Sequence, residues 1–280
     1  MSTTIAADIS DQRSVNPDRA RRKRHERNKR RWGVRLAQVG VAAAILLGWQ
    51  WASGRVVDDL LISRPSEILP ELWSWVMNGE LGTNAISTFK DAALGLLAGG
   101  IIGLVVGSLL GQSERLAAVF EPFITALYTM PKHALIPLFI MWVGIGSELR
   151  VLTAAVIVFF LIFYNTFFGI RDVSEALKNS VRIMGGSPLD VLVRVSLPSA
   201  LIWVVAGLKL AVPQAIVGVV VAEMLAGDRG LGYLVALNAG TFNSAGTFAA
   251  IFVLLFVGFA VDRVLSWATK PALSWKSSAG

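Results

Sequence analysis

Residues 179–198 read NSVRIMGGSPLDVLVRVSLP, a segment with charges, a Gly-Gly pair, a Ser-Pro and a closing Leu-Pro. It interrupts a chain that is otherwise strongly apolar. Of the 280 residues, 54% are hydrophobic and 16% charged, where a soluble domain carries about 25% charged residues. Apolar runs flank the segment on both sides, at 152–170 and 200–225. Further out lie runs at 116–143, 86–111 and Trp32–Ala52 before it and 247–267 after it. Each is long enough for a helix to cross about 30 Å of hydrocarbon at about 1.5 Å per residue. The short alternating segments of a membrane β-barrel are absent. The expectation is an all-α membrane protein with six transmembrane helices.

The quoted segment has the punctuation of two short helices. Residues 173–184 are adequate helix formers, and Gly185-Gly186 can end them because glycine enters the left-handed cap conformation at little cost. Ser187 then suits an N-cap and Pro188 the first helical position. Leu189, Leu192 and Val193 fall on one side, and Leu197-Pro198 restarts the next span. The product is a helical elbow. It serves either as an ordinary loop or as a docking element that takes mechanical input from a soluble partner.

Charge gives the orientation. The net charge of +7 is concentrated in 1–31, where DRARRKRHERNKRR occupies 18–31. Lys and Arg beside spans favour the cytoplasm, so both termini are expected there, with residues 268–280 as a C-terminal tail. The three outer segments contain only Arg55, Arg64, Arg150 and Arg229, whereas 171–199 alone contains Arg171, Lys178, Arg182 and Arg194. The elbow is therefore assigned to the cytoplasmic side. The basic tail reads as a topogenic signal with attraction to anionic membrane lipids. Nucleic acid is not an expected partner, because no aromatic interleaving or recognition fold accompanies the charges. The long apolar run after it suits a retained anchor better than a cleaved leader.

Four further divisions follow: a first helix with the start of an outer segment (32–60), an interfacial segment (61–85), a five-helix transmembrane domain (86–267) and, within it, the elbow loop (171–199). Ser-Pro-rich 64–67 followed by Ile68, Leu69, Leu72, Trp73 and Trp75 predicts a short amphipathic helix at the interface.

Within the spans, Gly95, Gly99, Gly103, Gly107 and Gly111 recur every fourth residue. That spacing makes a smooth helix face against which another backbone can pack closely. The run 116–143 is interrupted by MPKHALIP, so Pro131 and Pro137 predict a bent or broken helix. Irregular backbone at membrane depth is tolerated where protein or a water-filled cavity surrounds it. Pro131, Lys132, His133 and Pro137, together with Lys209, are thus candidates for a translocation pathway. For both lysines, snorkelling to a headgroup or balancing a carboxylate is an equal alternative.

Several chemistries are excluded. The chain has no Cys, its two histidines are His25 and His133, and no metal-ligand spacing or paired catalytic constellation occurs. No GxxxxGK[ST] phosphate loop is present either.

Residues 179–198 resemble the EAA loop of ABC-importer permeases, whose pattern is Glu-Ala-Ala, three residues, Gly, nine residues, Ile, one residue, Leu-Pro. Gly185, Val195, Leu197 and Pro198 occupy its Gly, Ile, Leu and Pro positions, while Asn179, Ser180 and Val181 replace Glu-Ala-Ala. Glu175-Ala176 has the family's letters four residues early. PKHALIPLFIMWVGIGSE, AEMLAGDRGLGYLV and ISRPSEI are similar to segments of the nitrate, sulfonate, taurine and bicarbonate permeases, so the resemblance runs from about Leu61 to Trp267.

It implies the type I importer fold, a bacterial inner-membrane location, a small anionic solute and a loop (173–198) that docks on an ATPase. The implied partners are cytoplasmic ABC ATPase subunits, an extracytoplasmic substrate-binding protein and a second permease copy, an identical chain in the simplest case. ATP and Mg would be bound by the ATPase, with no cofactor in this chain. The alternatives are a proton-coupled secondary transporter built around Lys132 and His133, and a permease of the same family for an aromatic acid or pyrimidine precursor.

Overall fold

A computed structural model describes the backbone of residues 17–274 and the side chains of 32–269. The basic run at 18–31 and the ends of the chain therefore fall outside the described side chains. Contacts divide the chain into residues 1–66 and 67–280.

In the first unit, α1 (Pro17–Ala52) becomes apolar from Trp32 onward and leaves Val39, Ile45 and Leu47 exposed. That is the surface expected of a helix whose neighbour is lipid. The chain after it is knotted by Asp59, whose carboxylate accepts from Ser53 Oγ at 2.8 Å and pairs with Arg64 at 2.7 Å. The amide side chain of Gln50 both donates to Ser66 Oγ (3.0 Å) and accepts from Ser66 N (3.2 Å).

The remaining elements are α2 (Pro65–Met77), α3 (Glu80–Gln112), α4 (Glu114–Thr129), a 3-10 turn (Lys132–Leu135), α5 (Ile136–Val143) and α6 (Ser147–Arg171). There follow α7 (Glu175–Ile183), α8 (Pro188–Val191), a π turn (Leu192–Ser196), α9 (Leu197–Ala226), α10 (Leu231–Gly240) and α11 (Ser244–Ser274). The amphipathic α2 forms where expected and buries Ile68 and Trp75. Five helical stretches are long and apolar enough to cross a membrane, and the bent pair α4 and α5 makes a sixth if it is one span.

The core of the second unit is α6, packed against α3 on one side and α9 on the other. The glycine stripe explains the closeness of the first contact. A Cβ on Gly99 would lie 2.1 Å from the Ala155 carbonyl oxygen, and one on Gly95 2.4 Å from Ala154 Cβ. At Gly103, Gly107 and Gly111 it would stand 2.8, 2.9 and 3.0 Å from the carbonyl oxygens of Phe159, Phe163 and Phe167. Both helices advance four residues per contact, so the two backbones run together along their length. Ala92, Ala154, Val158, Ala211, Ala215 and Val219 continue the small-residue packing through to α9. In lipid, where tails are as apolar as leucine, such van der Waals contact is what holds helices together.

The interrupted third span behaves as its prolines require. α4 ends at Thr129, Pro131 is extended (ψ 96°), and the helices on either side meet at 83°. Pro137 has a different role: it occupies the first turn of α5, where no intrahelical partner for its missing amide is needed. One element was not anticipated. The segment 231–240, between the apolar runs 200–225 and 247–267, is the helix α10, packed on α9 and α11.

Candidate functional site

The elbow begins with α7. Lys178 is buried and pairs with Glu175 at 2.8 Å, while Arg182 Nη1 donates to Glu175 at 3.4 Å and to Asn179 Oδ1 at 2.8 Å. Asn179 thus receives the same arginine as the carboxylate one turn earlier. The hydrogen bond from Lys178, then the charges of Lys178 and Arg182, holds the Glu175 carboxyl below its ordinary value of 4.5. Ser180 Oγ turns back to the Ala176 carbonyl (2.9 Å).

Two adjacent glycines then reverse the chain for different reasons. Gly185 has φ 83°, a conformation that costs a side-chain-bearing residue about 1–2 kcal/mol. Its amide donates to Arg182 O (3.0 Å) and that of Gly186 to Val181 O (2.9 Å), the two bonds of a Schellman cap. At Gly186 the constraint is space, since a Cβ would lie 2.5 Å from Val181 Cγ1.

Ser187 next caps α8 as expected: Asp190 N donates to Ser187 Oγ (3.2 Å) and Ser187 N to Asp190 Oδ2 (3.0 Å), a capping box with Pro188 in the first turn. The expected restart at Leu197-Pro198 takes another form. Helical structure runs without a break from Pro188 to Ala226, through the π turn. Pro198 explains that turn physically. It lacks an amide hydrogen and its ring crowds the carbonyl four residues back, and a wider turn relieves both. The elbow helix and the span are therefore one continuous rod.

The five pathway candidates are not gathered into one site. Lys132 Nζ reaches the Tyr128 carbonyl and lies 5.0 Å and 5.4 Å from the ring centres of Tyr128 and Phe160. Next to it, His133 Nε2 is buried without a hydrogen-bond partner. These two sit in the turn between Pro131 and Pro137, at the 83° break. Lys209 is half-buried on α9 and is not hydrogen-bonded to either.

At the opposite end of α3, α6 and α9 is a buried polar knot that sequence reasoning largely missed. Glu223 is 1% exposed; its carboxylate accepts from Thr88 Oγ1 (2.8 Å) and Gly232 N (2.8 Å). Leu231 N donates to Thr88 Oγ1 (2.9 Å) and Gly230 N to Asn84 Oδ1 (2.6 Å). The amides opening α10 therefore rest on α3 and on the Glu223 carboxylate, the partner that a helix N-terminus favours. Arg150 Nε meets Asp91 at 2.5 Å and its Nη1 meets Asp228 at 2.9 Å, while Ser147 Oγ donates to Asp91 at 2.6 Å.

Arg150, expected among the charges of an outer loop, is buried in the first turn of α6. The available signal was Asp91 inside an apolar run, since a carboxylate there needs a partner.

Apolar spans, a glycine-seamed core and an elbow whose second helix is continuous with one span define a helical membrane protein. Residues 95–270 match the family described as "Binding-protein-dependent transport system inner membrane component". The chain belongs to this family of ABC-importer permeases, multi-pass proteins of the inner membrane. It is 33% identical over 260 residues, 92% of each chain, to a Bacillus subtilis (strain 168) protein named as an aliphatic sulfonates transport permease, SsuC. It is 32% identical to the nitrate import permease protein NrtB of Synechococcus elongatus, over 67% of this chain and 68% of the relative. The taurine transport system permease protein TauC of Escherichia coli K12 is 27% identical over 82% of each chain.

Among solved structures, the inward-facing MetNI methionine ABC transporter aligns with a TM-score of 0.56 and 20% identity, covering 70% of this chain and 97% of that one. An amino acid ABC transporter aligns with a TM-score of 0.56 and 16% identity, over 77% and 99%. These two likenesses establish the type I importer fold.

Proposed function

We propose that this chain is the membrane-spanning subunit of an ATP-driven importer for a small anionic solute of the sulfonate or nitrate kind, delivered by a substrate-binding protein. Both termini and the elbow face the cytoplasm, where residues 173–198 dock on an ATPase subunit that binds ATP and Mg. Two permease copies enclose the pathway. The relatives named for sulfonates, nitrate and taurine support the solute class, because all three are small and carry an anionic group.

The observation that carries the proposal is the unbroken helix from Pro188 to Ala226, clamped at its start by the Ser187–Asp190 capping box. A lever must be stiff to transmit work. Movement of the elbow on ATP binding would pass directly into α9, which packs on α6, and so shift the spans from inward to outward access. The pathway side chains proposed are Lys132 and His133 at the broken span, with Lys209 on α9.

The test is uptake by vesicles containing the permease, its ATPase subunits and its binding protein. Two flexible residues inserted between Gly185 and Gly186 should leave ATP hydrolysis and abolish uptake. An unchanged ratio of solute imported to ATP hydrolysed contradicts the lever. Uptake that stops when the proton gradient is collapsed at constant ATP would instead favour the proton-coupled mechanism.

A further inference from the structure

At the root of the elbow, α7, the π turn and the junction of α3 with α4 enclose a cavity of about 370 Å³, lined by Gln112, Ser113, Lys178, Arg182, Gly186 and Ser196 among others. Its volume falls in the range of roughly 300–1,000 Å³ found for small-molecule sites. Three features of its wall point to one kind of occupant.

The first is charge. Lys178 and Arg182 bring two cations against one carboxylate, Glu175, which both already contact. Asp190 is committed elsewhere, to Arg194 at 3.2 Å and to Ser187. The second is donor capacity. An ammonium has three hydrogens and a guanidinium five, and the bonds of Arg182 to Glu175 and Asn179 both use Nη1. The third is an orphan. Ser196 is 0% exposed, lines the cavity and its Oγ has no hydrogen-bond partner among the described residues. An unsatisfied buried hydroxyl costs about 1–3 kcal/mol. Ser196 closes the π turn, a feature often found at functional sites.

We infer that this cavity binds a small tetrahedral oxyanion, sulfate or phosphate in chemistry, between Arg182, Lys178 and the Ser196 hydroxyl. Bound there, the anion ties α7 to the foot of α9, across the Gly185-Gly186 reversal. The chemistry is shared by a free ion and by the phosphate of a lipid headgroup. The site does not depend on what the elbow docks on, so the test needs neither ATPase nor transported solute.

The experiment is equilibrium binding of radiolabelled sulfate to the full chain in uncharged detergent, with phosphate as competitor at fixed ionic strength. A parallel arm measures thermal unfolding in phosphatidylcholine nanodiscs with and without phosphatidylglycerol. Saturable sulfate binding is expected, weakened about tenfold or more in Arg182→Gln, as loss of a charge-assisted bond implies. Ser196→Ala should weaken it less, and Arg55→Gln, exposed in the first unit, should leave it intact. Arg182 is half exposed, so its removal should spare the fold. If sulfate does not bind but phosphatidylglycerol raises the unfolding temperature in an Arg182-dependent way, the occupant is the headgroup. No saturable effect of either probe, or equal binding by Arg182→Gln, overturns the inference.

Discussion

Arg150 and Gly185 show how a single side chain, or the lack of one, sets each end of the bundle. The Arg150 guanidinium is nearly inaccessible and joins Asp91 on α3 to Asp228 after α9. Removing one member of a buried pair leaves the other charge uncompensated, at about 3–5 kcal/mol. Arg150→Leu is therefore expected to lower the thermal unfolding midpoint sharply, and the double variant with Asp91→Leu to recover most of the loss. Equal damage in both would show that the pair itself is not the cause. At Gly185, Ala should cost about 1 kcal/mol and Asn less, because Asn tolerates the left-handed conformation. Protease cleavage at the elbow would register the order Gly, Asn, Ala. The glycine was legible from sequence because its neighbours, Ser187-Pro188, are local signals. Arg150 was not, because its partners lie 59 and 78 positions away.

At the scale of elements, the α3–α6 seam makes a sharp contrast between neighbours. A methyl on Gly99 collides with the Ala155 backbone at 2.1 Å, whereas one on Gly100 would have its nearest atom, Val158 Cγ1, at 3.9 Å. Gly99→Ala must push two helices apart, an overpacking cost of about 1–3 kcal/mol or more. Gly100→Ala should be neutral or mildly stabilising, since alanine is the better helix former. Equal melting curves for the two would refute the seam.

The elbow has its own pH signature. Glu175 has a depressed carboxyl pKa in the folded state, so its pairing stabilises α7 above the ordinary value of about 4.5 and is lost as pH falls through the folded value. Protease protection of residues 175–183 should be flat from neutral to mildly acidic pH and decline only below about 4.5. Glu175→Gln should remove that decline.

Periodicity revealed the spans, the seam and the proline break because those signals sit within one helix. It missed α10, whose N-terminus is held by Thr88, Asn84 and Glu223 from other helices. The uninterrupted π turn was missed for a related reason: Leu-Pro ordinarily marks a start, and the local backbone found a wider turn instead.

For the whole molecule, the two ends of α6 and α9 are built differently. One end is pinned by the buried knot of Glu223, Thr88, Arg150 and Asp91, and the other carries the elbow. A bundle pinned at one end, with the elbow at the other, is the arrangement that the proposed coupling requires, and Lys132 at the 83° break lies against Phe160 of α6. The family and the fold could be recognised from sequence through motifs spread along most of the chain. The particular solute could not, because the recognisable motifs lie in helix packing and the elbow, and relatives named for sulfonates, nitrate and taurine all match the chain.

The most direct test of the account is co-purification of the detergent-solubilised chain with its candidate ATPase subunits, wild type against Gly185→Arg. The account predicts that wild type retains the ATPase while the folded variant, its elbow strained and bearing a new charge, does not. Retention of the ATPase by Gly185→Arg at the wild-type ratio, or failure of the wild type to hold any ATPase, would contradict it.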